Sequence, residues 1–194
     1  VFDLLVRGGP VMVPLGLCSV LAVGILAERL WYLHRVARDT SALLKRVEST
    51  ASKGGQTVAA LNASKVPLAR IVQKALERGE TPSLSAAERQ GAEEARRLEG
   101  HLPTVEAIVT LAPLLGLLGT ITGMIRSFHI LGVQGGDNPF AVTGGIAEAL
   151  ITTATGLIVA VCAFSGYVWC QHIMEREVHR METVAGDILE QLGS

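Results

Sequence analysis

Residues 107–125 read AIVTLAPLLGLLGTITGMI and contain no charged side chain. A helix rises about 1.5 Å per residue, so about 20 such residues cross the roughly 30 Å of hydrocarbon in a bilayer. Two other runs have the same character. Residues 8–27 read GGPVMVPLGLCSVLAVGILA, and residues 149–170 read ALITTATGLIVAVCAFSGYVWC. The expected fold class is therefore all-α, an integral membrane protein with three transmembrane helices and a cytoplasmic helical region. The first run differs from a secretory signal peptide in having Pro10 and Pro14 near its start and no basic n-region before it. It is read as a retained anchor, and the opening on Val1 rather than Met suggests that a few residues are missing.

Basic residues set the expected orientation. Of the 17 Lys and Arg, 13 fall between Arg29 and Pro103, and the connection from Leu131 to Gly144 has none. The positive-inside bias then places the long middle segment in the cytoplasm, the N-terminus outside and the C-terminus inside. Trp31 and Tyr32 close the first span, and Tyr167 and Trp169 the third, at the interface where such rings settle. The expected segments are an extracytoplasmic terminus at 1–10, spans at 11–33, 104–130 and 144–170, a cytoplasmic helical loop at 34–103, a periplasmic loop at 131–143 and a cytoplasmic C-terminal helix at 171–194.

In the cytoplasmic part, Leu68, Ile71, Val72, Ala75 and Leu76 recur with a helical period after Pro67, and Gly79 ends the run. Leu43, Leu44 and Val47, or a neighbouring subunit, are the expected cover for that face. Ser85 and Glu88 have capping-box spacing at the start of a second helix, which leads through His101 and Pro103, with a bend at the Pro, into span two. Val178, Met181, Val184, Ala185, Ile188, Leu189 and Leu192 form a stripe on a third. Gly54, Gly55 and residues 79–83 read as turns.

Several chemistries are disfavoured. The net charge of −1 offers no field for nucleic acid. Cys18, Cys162 and Cys170 lack metal or disulfide spacing, and there is no Gly-rich phosphate loop. Glu175 and His179, four apart, are read as a solvated contact rather than a metal pair. No cofactor or metal is expected.

What remains is polarity inside the spans, where a hydroxyl needs a partner. Small residues run down span two at Gly116, Thr120, Gly123 and Ser127, and down span three at Gly145, Ala149, Thr153, Gly156 and Ala160. Together with Gly119, the glycines and Ala149 are candidates for close helix packing. Thr120 and Thr153 fall at matched depth, so their hydroxyls either line one polar track or bond carbonyls of their own helices. Thr152 and Thr155 are further candidates for the proton path, and their hydroxyls either widen that track or bond within the helix. Glu148, at the start of span three, either snorkels toward water or belongs to an ion path.

APLLGLLGTITGM at 112–124 and GIAEALITTATGL at 145–157 resemble the two hallmark membrane segments of the ExbB/TolQ/MotA proton-channel family. The three-span layout and the opening GGPVMVPL at 8–15 resemble its ExbB/TolQ branch, whereas the MotA branch has four spans. The resemblance implies a homopentamer whose spans two and three surround a pore holding two copies of a single-span ExbD/TolR-like protein with a membrane Asp. It also implies a TonB/TolA-like protein as a further partner. Thr120 and Thr153 would face the pore, and Glu148 is another polar position of the family. Thr152, Thr155 and Cys162 depart from its common pattern, in which alanine, an aliphatic residue and proline are frequent.

No central third of a span holds Asp, Glu, Lys, Arg or His. Threonine orients water but carries no charge at neutral pH, so the proton carrier must come from a partner. The expected function is that of a stator subunit in a proton-motive-force-driven motor of the bacterial inner membrane, energising envelope or outer-membrane processes. It would be no enzyme, and its contacts would be membrane lipid, its own copies and these partners. The alternative is a scaffold or self-contained channel.

Overall fold

The computed structural model describes residues 9–50, 64, 66–76, 84–134 and 139–193. Five helices account for nearly all of them: α1 (Met12–Thr50), α2 (Pro67–Leu76), α3 (Leu84–Glu99), α4 (Leu102–Gln134) and α5 (Pro139–Gly193). Among the described residues there is no strand. The turns expected at Gly54, Gly55 and 79–83 lie outside the described residues, as do Gly79 itself and residues 1–8.

α1, α4 and α5 are each long and apolar enough to cross a membrane. α1 and α5 also continue past their expected span ends as 39- and 55-residue helices. No Gly or Pro interrupts residues 28–50 or 167–185, so nothing stops either helix at the interface.

The chain divides into two compact units, Val1–Ala27 with His101–Val168, and Glu28–Gly100 with Trp169–Ser194. In the first, the apolar stretches of the three long helices pack through alanines interleaved with larger side chains. One cluster joins Met12 and Leu15 to Ala112 and Ala160. A second joins Ala22 to Val105, Ile108 and Ala163. Their bulkier neighbours point outward: Val20, Ile125, Phe128, Leu150, Ile158 and Val161 are all more than 60% exposed. Helices apolar on nearly every side belong in lipid or against other subunits.

Two prolines sit in α4. Pro103 occupies the first turn, where the missing N–H has no helical partner to lose. Pro113 lies inside the helix and frees the carbonyl of Val109. The helix nevertheless continues, as membrane helices often do where neighbours support the backbone.

In the second unit α2 buries Leu68, Ile71, Val72 and Ala75 and packs on α3. α5 contributes Met181, Ala185, Ile188 and Leu189 to the buried set, and α1 contributes Leu33, Val36 and Leu43. Glu94 is fully enclosed and accepts bonds from Gln90 Nε2 at 3.0 Å and Arg97 Nη1 at 3.1 Å, with Arg70 Nη1 at 3.4 Å. Ser85 stands within α3 rather than ahead of it, so it is not the expected cap.

α3 does not run on into span two. It stops at Gly100, whose φ of +50° favours glycine and whose N–H returns to the Arg96 carbonyl at 3.1 Å. The buried guanidinium of Arg29 covers that end, with Nη1 3.4 Å from the Arg97 carbonyl. A cation there also complements the negative end of the helix dipole.

Candidate functional site: the seam between spans two and three

Within the first unit, α4 and α5 run antiparallel with their backbones in near contact. A Cβ added to Gly116 would lie 3.1 Å from the Thr153 Cα, and one on Gly156 would lie 2.6 Å from the Ala112 carbonyl oxygen. One on Gly123 would come 2.8 Å from the Ala149 Cβ and 3.0 Å from the Gly145 carbonyl. Gly145 in turn faces Ser127, and Gly119 faces the Thr152 side chain. All six small residues named for helix packing therefore meet in this seam. Gly119 and Thr152 are fully buried in the interface, whereas Thr153, against Gly116, and Thr120, next to Gly119 on α4, are half-buried.

The hydroxyls divide into three groups. Thr153 reaches across, donating to the Gly116 carbonyl at 2.8 Å. Thr152 and Thr155 donate to carbonyls one turn back on α5, Glu148 at 2.9 Å and Ile151 at 2.8 Å. Thr120 donates to the Leu117 carbonyl at 2.7 Å, and Ser127 to that of Gly123 at 3.0 Å. Each has given its proton to a backbone oxygen, but an oxygen that donates still has lone pairs for water or an acid. The half-buried Thr120 and Thr153 can offer them at the seam's edge.

Glu148 carries a charge at the end of the seam near Arg126. Its carboxylate lies 3.4 Å from Arg126 Nη1 on α4 and packs against Gly9, whose φ is +71°. The only sequence signal for this pair is a lone charge at each of two matching ends of antiparallel helices. Near the other end of the unit, Tyr167 Oη donates to Glu106 at 3.3 Å.

No set of three or more potential metal ligands occurs among the described residues. Glu175 accepts from Gln171 Nε2 at 3.0 Å. The three cysteines are free thiols.

Residues 63–183 match the MotA/TolQ/ExbB proton channel family. The chain belongs to that family. It is 36% identical over 169 residues to the ExbB-like 1 biopolymer transport protein of Synechocystis sp., covering 83% of this chain and 66% of the relative. It is 31% identical over 184 residues to biopolymer transport protein exbB1 of Vibrio cholerae, covering 88% and 81%. An ExbB homolog of Methanothermobacter thermautotrophicus is 30% identical over 176 residues, covering 85% and 62%. The chain thus spans just under two thirds of the length of the Synechocystis and Methanothermobacter proteins. With three long apolar helices and this membership, it is a multi-pass membrane protein.

Proposed function

We propose that the chain is the ExbB/TolQ-like stator subunit of a proton-driven motor in the bacterial inner membrane. Its N-terminus lies outside and its C-terminus in the cytoplasm. In this reading a homopentamer surrounds two single-span ExbD/TolR-like partners, with a TonB/TolA-like protein further along the chain of action. It breaks no covalent bond. The observation that carries the reading is the α4–α5 seam, a rigid wall flanked by the hydroxyls of Thr120 and Thr153, in spans whose centres hold no ionisable group.

Such a wall can order water and receive a protonated acid, but it cannot shuttle protons by itself. A membrane Asp on the partner supplies the titratable group. Its charged form is costly in low dielectric, so protonation changes where it rests and deprotonation releases it. Each proton crossing releases about 2.3 kcal/mol per 100 mV, enough to bias a step. Glu148, paired with Arg126 at the outer end, guards the entrance to that path. Thr152 and Thr155, bonded to carbonyls of their own helix, add hydroxyls to the same wall. The exposed apolar faces of the spans supply the surface that copies and lipid cover.

Co-expression with and without a single-span Asp protein, followed by mass determination, tests the assembly. Five copies with two partners are expected. A stable homo-oligomer that never retains the partner would refute it.

A further inference from the structure

In the second unit a cavity of about 360 Å³ opens between α1 and α2. Tyr32, Arg35 and Asp39 wall it from α1 and Arg70 from α2, over a floor of Val36 and Pro67, both buried. Its position along α1 is informative. The first span is expected to end at residue 33, so Tyr32 lies at its end and Arg35 and Asp39 follow about 3–9 Å further along the helix axis. That is the depth of lipid headgroups, and long arginine stems can reach back toward the hydrocarbon boundary. Trp31, exposed beside the cavity, is the kind of ring that settles at this level.

The polar groups of the cavity are only partly used. Arg35 spends Nε on Asp39 at a loose 3.8 Å and lies over the Trp31 ring at 5.6 Å, leaving both terminal nitrogens without a bond among the described residues. Arg70 reaches Glu94 through Nη1 alone. The Tyr32 hydroxyl makes no hydrogen bond among the described residues, although Arg29 lies 5.5 Å over its ring. Two guanidiniums and a phenol are the donors that a phosphodiester recruits, and Arg forks suit its oxygens. Asp39, on the same wall, disfavours a purely anionic headgroup and suits an ammonium.

We propose that this cavity is a phospholipid headgroup site. Arg35, Arg70 and Tyr32 hold the phosphodiester and Asp39 holds a primary ammonium, so that a phosphoethanolamine headgroup is preferred. The apolar floor meets the glycerol end. The inference rests on the membrane spans and not on the proton path, so the two stand or fall separately.

The test is native mass spectrometry of the delipidated full-length oligomer, titrated separately with phosphatidylethanolamine, phosphatidylglycerol, phosphatidylcholine and inorganic phosphate. Phosphatidylethanolamine should bind most tightly, one per chain, and excess phosphate should not displace it. Arg35→Gln, at an exposed side chain, should weaken binding roughly tenfold or more, as loss of charge-assisted bonds does, with helicity and oligomeric state unchanged. Asp39→Asn should abolish the preference over phosphatidylglycerol. Undiminished binding to Arg35→Gln, equal binding of the choline lipid, or displacement by inorganic phosphate would each overturn the proposal.

Discussion

The hydroxyl of Thr153 on α5 donates to the backbone carbonyl of Gly116 on α4, 2.8 Å away, where the two backbones lie close together. The bond exists because Gly116 and Gly156 remove the side chains that would hold the backbones apart. It fixes a hydroxyl at the edge of the seam, where its lone pairs are available. The magnitude of the bond decides how a mutation should be read. Interhelical side-chain bonds in membranes contribute about 0.6 kcal/mol on average, too little for their loss to unfold the protein.

Thr153→Val and Thr120→Val should therefore leave insertion and oligomeric state intact while abolishing energised function, since Val keeps the shape of Thr and removes the hydroxyl. Thr153→Ser should retain function. Complementation together with size-exclusion analysis checks this, and normal activity in both Val variants would remove these residues from the path.

Helical glycines inside and outside the seam should respond in opposite ways. Gly156→Leu should separate α4 from α5, because even a Cβ there meets the Ala112 carbonyl at 2.6 Å; Gly123→Leu should do the same. A Cβ added to Gly91, in α3, would meet nothing within 4 Å, so Gly91→Ala should raise stability by about 1 kcal/mol through helix propensity. Thermal unfolding in detergent measures all three. Unchanged melting and assembly in both Leu variants would contradict the seam.

At Gly100, the left-handed backbone and the Arg29 guanidinium combine against any side chain. Gly100→Ala should cost about 1–2 kcal/mol from backbone strain alone. Hydrogen exchange should show the loss concentrated in the last turn of α3, with α2 and the start of α3 less affected. A uniform change across the unit would argue against a local cap.

The three spans were legible because an uncharged run of membrane length, repeated three times, has little use outside a bilayer. Span ends were less so. Charged residues after Ala27 and Cys170 suggest an exit from lipid, but exit does not end a helix, and only the absence of Gly and Pro over 28–50 and 167–185 indicates continuity. The seam was legible in composition and ambiguous in phase. After Ala149 a 3.6-residue period allows Thr152 or Thr153 equally, and only the facing backbone of α4 puts Thr152 inside and Thr153 at the edge. The cap at Gly100 was hidden because Arg29 lies 71 positions earlier in sequence, beyond any local pattern.

If this subunit forms the wall of a proton path while a partner carries the charge, proton flux into liposomes under an imposed membrane potential should depend on that partner. Three preparations are compared: the isolated oligomer, its complex with a single-span Asp partner, and the complex bearing Asp→Asn in that partner. Flux is expected only for the complex with the intact Asp. Robust flux through the isolated oligomer would show instead that the chain is a self-contained channel.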